Sequence, residues 1–290
     1  HSFPTRRSSD LGLPHGGQCR SQLQRQNLQD HPDFIFGYSA KSLDLIGVSL
    51  GGAVKLAGEI IKYARSRKGL IATNFAEAGG FLKTDSSLHA PDVQLHFVVS
   101  LVDDHARKLH MAHGYSCHIC VLRPKSRGQV TLASNSMKDA PLIDPGFLTE
   151  AEDVETLVKG FKLTKQLMDA PSFVKIRTKD VFTPNVKTDD DIRKIIRDRV
   201  DTVYHPVGTC KMGHDAMAVV DQNLKVHGIE GLRVVDGSIM PTLVGGNTNA
   251  PIIAIAEVKA VTPHADPLFG SVVRLEHVRV PLRSEERRVG

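Results

Sequence analysis

The sequence predicts an α+β fold, an antiparallel sheet flanked by helices, and three observations carry that expectation. Residues 92–100 alternate, with Val93, Leu95, Phe97 and Val99 on one side and Gln94, His96 and Val98 on the other, as in a half-buried strand. Two more strand-like runs, 115–122 and 129–133, are joined by the turn-rich Arg123-Pro124-Lys125-Ser126-Arg127-Gly128. Three strands in succession without long helices between them favour antiparallel pairing. Helical patterns lie before and after these strands.

The ends come first. Residues 1–11 and 283–290 back-translate to opposite strands of one DNA sequence that resembles a sequencing adaptor, so both are expected to be non-native. Residues 12–26 read as loop, and 12–33 as the remnant of a linker. Asn27-Leu28-Gln29-Asp30-His31-Pro32 is a polar turn before Phe34-Ile35-Phe36. From Gly51 to Lys68, Val54, Leu56, Ala57, Ile60, Ile61 and Ala64 recur at helical spacing, and Gly69 supplies the stop. Thr149-x-x-Glu152 fits a capping box for a helix whose apolar face is Val154, Leu157, Val158, Phe161 and Leu167. Thr188 starts another, with Asp189, Asp190 and Asp191 favourably placed at its positive end and Ile192, Ile195, Ile196 and Val200 as its buried stripe. Leu232-Arg233-Val234-Val235 reads as a short strand, and residues 251–257 as the start of a helix with Asn249 as cap. After Glu257 the pattern is expected to dissolve, leaving 258–290 as a non-native tail.

Charge excludes little and suggests less. The formal net charge is +5, and setting aside five arginines and three acids in the two ends leaves +3, which makes no case for nucleic acid. No apolar run is long enough for a membrane-spanning helix. Four cysteines (Cys19, Cys117, Cys120, Cys210) do not make a disulfide scaffold.

Candidate sites have competing explanations. Gly47-Val48-Ser49-Leu50-Gly51-Gly52 satisfies the nucleophile-elbow pattern, but too few residues precede Ser49 for a mid-sheet elbow, so a Gly/Ser helix entry is favoured over a serine hydrolase. Cys117 and Cys120 lie three apart on a strand and face opposite ways, which argues against a shared metal. His105, His110 and His113 fall in a polar loop without a recognised metal spacing, so no metal site is expected. His205 stands apart. Pro206 and Gly208 fix the chain around it, and downstream lie an Asp-Gly after a strand and a glycine-framed turn carrying Asn247.

In order and spacing, four segments resemble the glucose–methanol–choline (GMC) oxidoreductases. They are Asn27-Leu28-Gln29-Asp30-His31-Pro32, His205-Pro206-Val207-Gly208-Thr209-Cys210-Lys211-Met212-Gly213, Asp236-Gly237-Ser238-Ile239-Met240-Pro241 and Gly246-Asn247-Thr248-Asn249-Ala250-Pro251. The likeness covers residues 27–257 and is greatest to the choline dehydrogenase and long-chain alcohol dehydrogenase branch. It implies a substrate domain at 34–200, followed at 201–257 by a catalytic loop and the return segment of an FAD-binding α/β domain.

The resemblance implies FAD as cofactor and a primary alcohol, choline or aliphatic, as substrate. His205 would take the hydroxyl proton while hydride passes to flavin N5, and Asn247 would hold the developing alkoxide. Tyr204, Asp236, Gly237 and Asn249 would contact the cofactor. A quinone-type electron acceptor and a cytoplasmic or peripheral inner-membrane location are likewise implied. The family's Gly-x-Gly-x-x-Gly pyrophosphate turn is missing, so the isolated polypeptide is expected to bind FAD poorly and not to turn over. A non-catalytic α+β binding module is the remaining alternative, which the His205/Asn247 pairing opposes.

Overall fold

A computed structural model describes residues 26–103, 108, 110–136 and 138–261. The two adaptor-like ends, residues 12–25 and His105 fall outside that range. In chain order the elements are β1 (Gln26–Leu28), β2 (Pro32–Ala40), α1 (Leu50–Ser66), β3 (Ala76–Leu82), β4 (Val93–Val98), β5 (His113–Val121), β6 (Gly128–Thr131) and β7 (Leu142–Asp144). They continue as α2 (Ala151–Met168), α3 (Pro171–Val174), β8 (Arg177–Asp180), α4 (Asp189–Arg199), β9 (Asp201–Thr202) and α5 (Asn249–Val261).

The main sheet is antiparallel in the order β3-β4-β5-β2-β8, with β9 pairing β2. Period-two alternation gives it two unlike faces. On one, Phe34, Phe36 and Tyr38 of β2, Val93 and Leu95 of β4, and Tyr115, Cys117, Ile119 and Val121 of β5 form one cluster. Val154, Leu157, Val158, Phe161 and Met168 of α2 close over it, with Ile192 and Ile196 of α4. Leu157 is fully buried, and truncating such a side chain costs about 2–5 kcal/mol. Gly160 lets α2 approach closely, since a Cβ there would lie 2.8 Å from Ile119 Cδ1. The opposite face carries Asp33 on β2, Gln94 and His96 on β4, and Ser116 and His118 on β5, and it is the face on which the site is built.

The sheet corrects the expectation at one strand. The run at 129–133 becomes β6, but it joins β1 and β7 in a separate three-stranded sheet. The turn at 123–128 carries the chain away from β5, and Asp153 holds it there by accepting the Lys125 and Ser126 backbone N–H groups, both at 2.8 Å.

The capping box expected at Thr149 does not form. Leu148 adopts a left-handed φ of 59°, which turns Thr149 back so that its hydroxyl donates to the Gly146 carbonyl at 3.1 Å. Glu150 is the N-cap of α2 and makes no side-chain cap bond. The box does form at α4, where the Thr188 hydroxyl accepts the Asp191 N–H and the Asp191 carboxylate accepts the Thr188 N–H.

Three further expectations change near the C-terminus. Residues 232–235 do not form a strand and contribute only an isolated Lys225–Arg233 bridge. They lie instead in a coil tied to residues 224–226 by the Val226 N–H to the Leu232 carbonyl at 2.9 Å and the Val234 N–H to the Leu224 carbonyl at 3.1 Å, with Val234 packed on Val219, Val220, Leu224 and Ile239. Helix α5 does not stop at Glu257 but continues to Val261, and Asn249 is its first residue rather than its cap. Pro251 sits in the first turn, where a missing N–H costs nothing.

Helix α1 forms as expected but buries none of its residues. Leu50, Val54, Ile60 and Ile61 are each more than half exposed.

Candidate functional site

The site begins with Gln29, Asp30 and His31, which stitch the sheet to the loops near the C-terminus. Gln29 and Val207 exchange backbone hydrogen bonds at 3.0 and 2.8 Å. The Gln29 amide donates to the Pro241 carbonyl at 3.0 Å and accepts the Leu243 N–H at 3.1 Å. The Asp30 carboxylate accepts the backbone N–H groups of His31 at 2.8 Å and His205 at 3.0 Å, and the Thr202 hydroxyl also donates to it. Burial raises the Asp30 pKa against these donors. Gly208, at φ 94°, lies so close to Asn27 that a Cβ would come within 2.4 Å of its carbonyl oxygen.

His31 is fully buried. Its Nδ1 lies 2.9 Å from the Val121 carbonyl and its Nε2 3.2 Å from the Gly246 carbonyl. Burial lowers its pKa, and a neutral imidazole can donate to only one of two carbonyls. The shorter contact makes Nδ1 the donor. Its ring meets that of His205 edge-on, with centroids 5.4 Å apart.

Held in this way, His205 presents Nε2 to Asn247, whose Nδ2 lies 3.2 Å away. An amide NH2 only donates, so Nε2 of His205 carries a lone pair and the proton resides on Nδ1. Nδ1 is buried without a hydrogen-bond partner among the described residues. Burial, and then the nearby His31 and His96, lower the His205 pKa to about 4. The imidazole is therefore a neutral base at ordinary pH.

The sheet supplies the other wall. Gln94 Nε2 donates to Asn247 Oδ1 at 3.1 Å. His96, two residues along β4, has its pKa lowered to about 4 by burial and by His118 and His31. Its Nε2 is buried without a partner among the described residues. Opposite His96 across the β4–β5 ladder is His118. Burial opposes its charge, but the Asp33 carboxylate 2.6 Å from Nδ1 lifts its pKa above the usual range. Gln94, His96, Asn247 and Phe81 line a cavity of about 420 Å³ together with small residues of β3.

The sequence-derived candidates gather here unevenly. His205 and Asn247 touch. Tyr204 is 63% exposed and has a left-handed φ of 69°, its backbone N–H donating to Thr202 Oγ1 at 2.7 Å. Asp236 folds back on Ser238, accepting its N–H at 2.8 Å, and Gly237 lies buried against Ile252, where a Cβ would meet Cδ1 at 2.9 Å. Asn249 is exposed at the start of α5. Sequence reasoning gave no role to Gln29, Asp30, His31, Gln94 or His96. Only the alternation at 92–100, which places polar Gln94 and His96 together, could have signalled the last two.

Ser49 has an unforeseen partner. Its hydroxyl lies 2.7 Å from His113 Nε2, and His113 Nδ1 lies 2.7 Å from the Leu45 carbonyl. The same oxygen accepts the Gly52 N–H at 2.9 Å as the N-cap of α1. Residues 46 and 47 make only isolated bridges, so no strand leads into Ser49 as an elbow requires. Cys117 is in the core cluster, and burial raises the pKa of Cys117 to about 12 and that of Cys120 well above the usual thiol range.

Comparison with known proteins bears on this arrangement. Residues 124–256 match a family model described as GMC oxidoreductase. Over 233 residues the chain is 45% identical to an alcohol dehydrogenase [acceptor] of Pseudomonas putida, covering 80% of this chain and 42% of that protein. It is 36% identical over 241 residues to oxygen-dependent choline dehydrogenase 1 of Chromohalobacter salexigens, with the same coverage of 80% and 42%. Among solved structures, pyridoxine 4-oxidase from Mesorbium loti superposes with a TM-score of 0.67 at 26% identity, over 83% of this chain and 44% of that one. A formate oxidase superposes with a TM-score of 0.71 at 24% identity, over 81% and 46%, a likeness of fold. The chain thus spans less than half the length of the curated relatives it matches.

Proposed function

Since the chain belongs, over residues 124–256, to the GMC oxidoreductases, we propose that it is the substrate-facing and catalytic part of an FAD-dependent dehydrogenase. That enzyme oxidises a primary alcohol, choline or aliphatic, to the aldehyde. The observation that carries the reading is the contact between His205 Nε2 and Asn247 Nδ2 at 3.2 Å, beside a cavity and below a polar sheet face.

The residues fit a flavin. His205 is neutral and its Nε2 lone pair is open to a hydroxyl once Asn247 yields to substrate. Tyr204, Asn247 and Asn249 are all exposed, the last at the start of α5. That helix has no acid in its first turn, so its positive end suits an electron-rich ring. Asp236, Gly237, Asn249 and the Tyr204 backbone would hold the cofactor. When bound, FAD supplies the acceptor for the hydride that leaves the alcohol carbon.

The chain's own residues do the rest. His205 Nε2 takes the hydroxyl proton, and the low pKa of its ring keeps that lone pair available at neutral pH. The Asn247 amide then donates to the alkoxide oxygen and orients the carbon for transfer. Asp30 fixes the His205 backbone throughout. Reoxidation is by a quinone-type acceptor, and any membrane association is peripheral. No described helix is long and apolar enough to cross a bilayer.

The test joins this chain to the upstream part of the Pseudomonas putida relative. A yellow, FAD-loaded product whose flavin is bleached by an alcohol supports the reading. Retention of that bleaching in His205→Ala contradicts it.

The 2.7 Å Ser49–His113 contact favours a second reading, a serine hydrolase. The cap bond from Gly52, and the isolated bridges at Ile46 and Gly47 where an elbow needs a strand leading into Ser49, weigh against it. Hydrolysis of a p-nitrophenyl ester that is lost in Ser49→Ala would favour it over the dehydrogenase.

A further inference from the structure

We propose that Gln94 is a positioning residue that sets the protonation geometry of His205 through Asn247. The inference rests on the proposed roles of His205 and Asn247 and deepens them, because it says what keeps the base lone pair facing the substrate position.

The three side chains form a relay with one sense of donation. Gln94 Nε2 is a donor only, so the Asn247 atom 3.1 Å from it accepts, and that atom is Oδ1. The Asn247 amide is planar, which leaves Nδ2 directed at His205 Nε2 at 3.2 Å. Nδ2 donates, so Nε2 accepts and the imidazole proton is on Nδ1. Reversing both amides gives the other self-consistent relay, in which Asn247 Oδ1 faces His205 and Nε2 must carry the proton. In that state the histidine has no lone pair where an alcohol would meet it. Gln94 Oε1 is buried without a partner among the described residues, so the sense that the Gln94 amide takes toward Asn247 decides, without contact to His205, whether the base is competent.

Gln94 is placed to do this. It is 6% exposed, and β4 is paired on both sides, to β3 and to β5, so the strand cannot shift to relax it. A buried side chain on a central strand orients a partner better than one on a loop. Asn247 is on a loop and exposed. Apart from His205, Gln94 is the one side chain that hydrogen-bonds Asn247 among the described residues.

The experiment uses the chain as it stands, labelled with 15N-histidine, and reads the His205 ring nitrogens by two-bond proton–nitrogen correlation. Four samples are compared: the parent, Gln94→Glu, Gln94→Met and Asn247→Ala. The parent is expected to show the Nδ1–H tautomer. In Gln94→Glu the new carboxylate can only accept, so Asn247 reverses and His205 changes to the Nε2–H tautomer, exchanging its protonated and unprotonated nitrogen shifts. Gln94→Met removes the donor without supplying an acceptor, and the two tautomers become mixed. It decides the matter if the charged variant does not fold.

Parent-like tautomers in both folded variants would overturn the proposal while leaving the His205–Asn247 pair standing. If the parent resonances instead do not respond to Asn247→Ala, the pair itself is absent, and the reading on which the proposal rests is wrong as well. A variant that merely loosens the core would broaden many resonances, and would not exchange the shifts of one histidine.

Discussion

The Asp30 carboxylate accepts the backbone N–H of His205 at 3.0 Å, across 175 residues of sequence. It accepts the His31 N–H with the same oxygen, so one acid fixes both ends of the histidine pair that meets edge-on beside the site. His205 is thus held by its backbone from the start of the sheet, leaving its ring outside that contact.

Replacing that acid tests the frame. Asp30→Ala strands the N–H groups of His31 and His205 and the Thr202 hydroxyl in a buried place. Each unsatisfied group costs about 1–3 kcal/mol, so a loss of roughly 2–4 kcal/mol is expected from urea unfolding after partial relaxation. Asp30→Asn keeps an acceptor oxygen and should lose less than half as much. Equal, small losses for both would mean that the contacts carry little energy.

The two helix starts give a paired prediction. Thr188→Ala breaks a complete capping box at α4 and should cost about 1 kcal/mol. Thr149→Ala removes a hydroxyl that donates to the Gly146 carbonyl rather than capping α2, and should cost no more than about 0.5 kcal/mol. The comparison is read from urea midpoints at constant slope, and a larger loss at Thr149 would reinstate the box there.

Ser49 can be judged the same way. As the cap of α1 it should lose about 1 kcal/mol on substitution by alanine. No ester hydrolysis should disappear with it. A p-nitrophenyl ester assay alongside the unfolding curve separates the cap from a nucleophile.

Acidity gives a signed test. His96 and His205 are both held at about 4, against an ordinary value of 6.5. Between those values the unfolded chain binds more protons than the folded one, so each histidine makes stability fall as pH drops from 6.5 toward 4. Asp30 and Asp33, whose pKa values are raised by burial, act with the opposite sign at the lower end of that range. His118, raised by Asp33, contributes stability that is lost as pH rises above its ordinary range. The informative quantity is therefore a difference: His96→Gln should lose less stability than the parent on going from pH 7 to pH 5, measured by urea unfolding. A steeper acid loss in the variant would reverse the sign assigned to His96.

What was legible in the sequence follows the physics of each element. The strand at 93–98 was readable because one face is core and the other polar, so burial imposes alternation. Strand β3, Ala-Glu-Ala-Gly-Gly-Phe-Leu, was not, because an exposed edge strand needs no apolar period. The acids at 189–191 marked α4 because charge and cap agree there. At Thr149 the same motif misled, since the Thr149 hydroxyl turns back to the Gly146 carbonyl and the Glu152 carboxylate pairs with Lys125. His205 and Asn247 were found through motif order. Gln94, 153 residues from Asn247 in the chain, meets it only through the sheet, and no local pattern could join them.

The central claim is that His205 is the base, with Asn247 as its partner, for alcohol oxidation. Its most direct test is the rate at which an alcohol bleaches the flavin in the chimera with the upstream part of the Pseudomonas putida relative, measured in a single turnover for the parent and His205→Gln. The account predicts that the variant keeps its FAD and slows by about 10²–10⁴-fold, the usual worth of a positioned general base. Bleaching at the parent rate in a fully loaded His205→Gln protein would contradict it.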